Sequence, residues 1–246
     1  MKSFALPILA LTLCSGSIAQ AQFGGLSLPG KSSKPAADPS ALLDQGMKLM
    51  IFTTLASDLA YDGSMKLLSA YPPKVVAKIQ ALAEKVNEAK KKRNKEGNMD
   101  ASEVEAVSAF EKGMAELDAQ WDQYQKDPKL KGKVTQAHAK LGLMTGADAL
   151  AALQIPGFLT NAQATLKDLG SNPAQLGKIQ QLSFMVKTLT VVAKQIPDQK
   201  ASVDRIQNIT GKISKAEHFT MGEPPKVTTT DPEALKKAAQ STDVEG

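Results

Sequence analysis

The densest set of oxygen donors in the chain lies between two helix-forming stretches. Asn94, Glu96, Asn98, Asp100, Ser102 and Glu105 occupy the first, third, fifth, seventh, ninth and twelfth places of a twelve-residue run. Five side chains and the backbone carbonyl of Asp100 make a set of hard ligands, the kind a hard divalent cation takes from a turning backbone. Other reactive groups are few. His138 and His218 lie eighty residues apart, and neither has a ligand partner at helical spacing such as His-Glu-x-x-His. No Gly-x-Ser-x-Gly elbow is present. Residues 170–178 have the wrong glycine spacing for a phosphate loop, Ile179 takes the place of its Ser or Thr, and no strand precedes it. Asp118 and Asp122 stand one helical turn apart in an acidic stripe and read as solvated. Met47, Met50, Met65, Met114, Met144 and Met185 read as core filler, with a Met-lined ligand groove as the alternative.

With a helix expected on each side, residues 94–105 resemble an EF-hand calcium loop. The resemblance covers these twelve residues and implies calcium held by Asn94, Glu96, Asn98, the backbone of Asp100, Ser102 and Glu105. Asn94 stands where the family has Asp, and Met99 where glycine makes the sharp turn. Ala101 replaces the branched apolar residue that pairs with a second hand, and no second hand is found. The same residues also read without metal. Ser102-x-x-Glu105 is a capping box, and Gly97 is a helix terminator.

The elements that would position these groups are helical. Hydrophobic residues make up 42% of the chain and aromatics 4%, and Ala, Leu, Lys, Gln and Met are helix formers. No alternating stretch is bounded by hairpin turns. Asp38-Pro39, Asp127-Pro128, Asn172-Pro173 and Asp231-Pro232 each place a capping side chain before a proline suited to the first helical turn. A first helix starts at Asp38, with a break expected at Asp62-Gly63. A second runs from Pro73 to about Arg93, carrying Val75, Val76, Ile79, Leu82, Ala83 and Val86 on one face. A third continues to about Lys126 through Val104, Val107, Phe110, Met114, Leu117, Trp121 and Tyr124. Three or four more helices follow, with breaks expected at Gly146, Pro156-Gly157, 170–173 and Pro197.

The charge pattern supports a hairpin over 73–126. The net charge is +5, which invites an anionic partner. However, residues 74–95 hold eight basic and two acidic side chains, and 96–127 hold nine acidic and two basic. Consecutive helices with a short loop pack antiparallel, so coiled-coil-like pairing sets basic flank against acidic flank. Lys90-Lys91-Lys92-Arg93-Asn94-Lys95 reads as a solvated helix end, with peripheral contact to an anionic envelope surface as the alternative. No aromatic stacking motif accompanies the basic residues, so no nucleic-acid partner is expected.

The N-terminus gives an address. Lys2, the apolar run at 4–13 and the small-x-small pattern Ala19-Gln20-Ala21 form a secretory signal cut after Ala21. Leu13 before Cys14 argues against lipidation, and the mature chain would hold no cysteine. The longest uncharged stretch of the remainder, 149–166, contains Pro156, Gly157 and Asn161, so no transmembrane anchor is expected.

The expectation is an all-α multi-helix bundle with a long antiparallel helical hairpin. It comprises a signal peptide at 1–21, a flexible leader at 22–37, a helical domain at 38–220 and a mostly disordered tail at 221–246. The tail carries a weak helix at 232–240. With no catalytic constellation, the expected function is an interaction protein of the bacterial envelope, periplasmic or secreted: an adaptor, chaperone-like or assembly factor with a protein partner. The alternative is a ligand- or ion-binding module, taking an apolar ligand in the bundle or weak calcium at 94–105. An enzyme using His138 or His218 beside carboxylates ranks third.

Overall fold

The computed structural model describes residues 38–69, 71–95, 97–118, 130–170, 173–217 and 225–242. The expected signal and leader lie outside these residues, as do Glu96, Trp121, Tyr124 and His218. The described chain forms α1 (Pro39–Leu68), α2 (Pro73–Lys90), α3 (Ala101–Asp118), α4 (Leu130–Leu169), α5 (Leu176–Glu217) and α6 (Pro232–Ser241). A 3-10 turn at Pro173–Gln175 precedes α5, and there is no strand among the described residues.

The capping pairs act as expected where they are described. The Asp38 carboxylate accepts from Ser40 N at 3.0 Å, with Pro39 in the first turn of α1. Asp231 accepts from Glu233 N at 3.1 Å, with Pro232 opening α6. Each bond satisfies an amide that the helix itself leaves without a partner. Asp127-Pro128 and Asn172 lie outside the described residues.

Helix α1 is the centre of the bundle. It packs on α4 along most of its length and also touches α3, α5 and α6. The α1–α4 pair is antiparallel, because Gly46 faces Phe158 while Gly63 faces Leu141. Phe52, Phe110, Phe158, Leu49, Leu67, Met114, Leu141 and Leu143 are fully buried and define one continuous core. Tyr61 and Phe110 bring their ring centroids to 5.0 Å, which ties α1 to α3.

The break expected at Asp62-Gly63 is absent, and α1 is continuous to Leu68. A Cβ on Gly63 would lie 2.7 Å from Leu141 Cγ. The glycine permits close approach of two helices instead of ending one. The breaks expected at Gly146, Pro156-Gly157 and Pro197 are also absent, because α4 and α5 run through them. Proline removes one amide donor and costs about 3 kcal/mol in a helix interior. At Pro156, buried Ala151, Ile155, Phe158 and Ala162 anchor the helix on both sides. Val192 and Ile209 do the same around Pro197. Gly146 lies under Val227, whose Cβ is 3.3 Å from where a glycine Cβ would be. The break expected at 170–173 is present, where Gly170 adopts φ +55 and closes α4 on Leu166 O.

The expected weak helix in the tail forms α6, and it is docked. Leu235 is 1% exposed, α6 packs on α1 and α4, and Gln154 Nε2 donates to Thr230 Oγ1 at 3.0 Å. No helix among the described residues is long and apolar enough to cross a membrane.

Candidate functional site

The α2–α3 hairpin and its loop hold most of the distinctive polar groups. Helix α2 presents Val76, Ile79, Ala83 and Val86 to the core, and α3 presents Val104, Val107, Phe110, Met114 and Leu117. A Cβ on Gly113 would lie 2.7 Å from Leu82 Cδ1, so the two helices are close. Their exposed flanks carry the expected complementary charges, including Lys78–Glu116 at 3.1 Å. Such a pair is worth about 0–1 kcal/mol.

A partly buried ionic cluster ties the open end of this hairpin to α1. Arg93 Nη1 and Nη2 donate to the Asp58 carboxylate at 2.9 and 2.7 Å. Arg93 Nε and Nη2 donate to Glu103 at 2.9 and 2.5 Å. Lys90 Nζ reaches Asp58 Oδ1 at 2.8 Å and sits 4.3 Å above the Tyr61 ring. The Glu103 side chain is 0% exposed. Burial alone would raise the Asp58 carboxyl, but the Arg93 hydrogen bond and the Lys90 charge overcome it and hold the group below its ordinary value. Burial disfavours the Arg93 charge, yet its bonds to Glu103 and Asp58 keep the guanidinium firmly protonated. Two carboxylates balance two cations, so the cluster has no charge to spare for a ligand. Its action is to fix three helices relative to one another.

This corrects the reading of 90–95 as one solvated basic end. Lys91, Lys92 and Lys95 are exposed, while Lys90 and Arg93 turn inward. Sequence reasoning did not find this cluster, although one signal was present. Arg93 and Arg205 are the two arginines among thirty basic residues, and a planar fork holding two carboxylates cannot be replaced by lysine.

Asn94, Asp100 and Ser102 of the loop are engaged in turn and cap bonds, whereas Asn98 is buried with its Oδ1 unbonded. Asn94 Oδ1 accepts from Asn98 N at 2.8 Å, and Gly97 at φ +75 donates its amide to Asn94 O at 2.9 Å. The Asp100 carboxylate caps α3, accepting from Glu103 N at 2.9 Å and Ser102 Oγ at 2.7 Å. Burial would raise this carboxyl, but these bonds hold it below its ordinary value. The cap is therefore Asp100 and not Ser102. Glu103 does not reach back to the cap as a capping box requires, because Arg93 holds it. Glu105 is exposed on α3, and Glu96 lies outside the described residues. Among the described residues, no three His, Cys, Asp or Glu side chains converge as a metal site would need.

Two concavities flank this loop. A groove of about 570 Å³ runs between α2 and α3. Ala81, Ala89 and Ala106 form its apolar lining, and Glu84, Lys85 and Lys92 lie along its rim. On the other side, a cavity of about 70 Å³ lies among α1, α5 and the α2–α3 loop.

Elsewhere, His138 is half-buried on α4, and burial lowers its pKa. Asp148 is buried on the same helix, and burial pushes its carboxyl up to about 8.

The fold and these sites define an all-α bundle whose hairpin is tied to the central helix by a partly buried ionic cluster. Comparison with family models, with curated proteins and with solved structures finds no match.

Proposed function

We propose that this chain is an exported helical interaction protein of the bacterial envelope, an adaptor or assembly factor. Its α2–α3 groove takes an amphipathic helix of a protein partner. The observation that carries this reading is an alanine-lined groove on a hairpin held rigid from below. Alanines at Ala81, Ala89 and Ala106 let a partner backbone come close, and helix-in-groove docking uses such apolar seats. A rim of both charge signs, with Glu84 and Lys85 adjacent, can set the partner's register. The ionic cluster keeps the groove walls fixed, so binding has less conformational freedom to remove. Export rests on the apolar run at 4–13 followed by Ala19-Gln20-Ala21.

Affinity capture from envelope extracts tests this reading, run in parallel with calcium and with chelator. The wild-type protein should retain one specific protein in both arms, and Ala81→Trp, which fills the groove, should release it. Capture of nothing, or equal capture by Ala81→Trp, would overturn it.

A further inference from the structure

The small cavity beside the loop has an unusual lining. Met50 and Met185 are buried in its floor together with Asn98, and Met47 forms a wall. Met47 and Met50 are one turn apart on α1, which puts them on the same helical face. The sulfur of Met185 crosses the backbone of Gly46, where a Cβ would stand only 2.5 Å from it. Glycine at this position leaves room for the Met185 sulfur against α1, and Met47, Met50 and Met185 line the one cavity. Asn98 is 2% exposed; its Nδ2 lies 3.1 Å from Met47 Sδ, and its Oδ1 has no hydrogen-bond partner. Asn94 and Phe184, both solvent-exposed, form the mouth.

We propose that this cavity binds a soft monovalent cation, Cu(I), through the thioethers of Met47, Met50 and Met185. Three neutral sulfurs suit a soft ion of low charge, and thioether ligands select Cu(I) over calcium and magnesium. No carboxylate, imidazole or thiol lines the cavity, so a hard divalent ion would find neither charge balance nor its preferred donors there. Asn98 Oδ1 supplies a buried acceptor for a water carried by the cation. The volume of about 70 Å³ is far below the ~300–1,000 Å³ of ordinary organic ligand sites. A thioether has no proton to lose, so binding releases none and the affinity stays flat with pH, unlike that of Cys or His sites. This inference does not depend on the α2–α3 groove, which lies on the other side of the loop.

The test is an anaerobic titration of the full chain with Cu(I) against a chromophoric Cu(I) chelator. Every arm carries Cys14→Ser, so that the thiol cannot compete. The expected result is one Cu(I) per chain, with affinity constant from pH 6 to 8. Met47→Leu and Met185→Leu, which keep the volume, should each weaken binding by about tenfold or more, at least the effect of losing a partner outside the ligand set. Met114→Leu, in the core elsewhere, should leave it unchanged. A second readout does not rely on variants: redox-inert Ag(I) should shift the methyl resonances of Met47, Met50 and Met185 and no others. Failure to compete with the chelator, binding that both variants retain, or unmoved methyl resonances would each overturn the site. The cavity would then hold water alone.

Discussion

Arg93 uses one guanidinium to hold carboxylates from two different helices. Its partner Glu103 has no exposed surface, so removing the cation leaves a buried carboxylate without its counter-charge. Breaking such a pair from one side costs about 3–5 kcal/mol. Arg93→Ala should therefore lower the urea midpoint by that order, and Arg93→Lys should recover only part, because a point charge cannot bridge two carboxylates. A loss within the ~0–1 kcal/mol of an exposed pair would show that the cluster does not secure the hairpin. At this scale the sequence was legible in outline only. It marked 94–105 as a place where polar groups gather, and Gly97 as a turn. Which oxygens face which partners depends on Asp58, and its approach to Arg93 from a different helix has no local signature.

At the scale of elements, composition and capping pairs read correctly as helices, and the ends at Asp38, Pro73, 170–173 and Pro232 hold. The misread positions share a cause. Gly63, Gly146 and Pro156 weaken an isolated helix, but each lies in one anchored by tertiary contacts, and packing outweighs local propensity. Two glycines separate these effects. Gly63→Ala would push a Cβ into Leu141, which is buried, and should destabilise by about 1–3 kcal/mol. Gly157→Ala meets nothing within 4 Å, so it should stabilise by about 0.5–1 kcal/mol. Thermal melts of the two variants should move in opposite directions; matching shifts would mean that close helix approach is not why Gly63 is needed. The docked α6 was legible as a helix but not as packed, since Leu235 gives no local sign of what it covers.

At the scale of the whole molecule, opposed titrations shape stability. Asp58 is depressed in the folded state, so its contribution is present above the unfolded value and is lost as pH falls through the folded one. His138 is depressed by burial, so the unfolded chain binds its proton first and acid weakens the fold there too. Asp148 has the opposite sign. Its folded carboxyl stands at about 8 against an ordinary 3.8, so the folded chain binds more protons across that interval and stability falls as pH rises through it. Asp148→Asn should flatten that decline between about pH 4 and 8, read from urea midpoints at several pH values. An unchanged slope would show that this carboxyl ionises normally in the folded protein.

If the α2–α3 groove seats a partner's helix, as proposed, photo-cross-linking in living cells will capture it there. A photoreactive residue replaces Glu84 on the groove rim, and a control places it at exposed Glu233 on α6. A discrete adduct should form from the groove, not from α6. Its far end should map to a helical segment of one protein, and Ala81→Trp should abolish it without lowering the melting temperature. Absence of a groove adduct, or one that persists in Ala81→Trp, would contradict it.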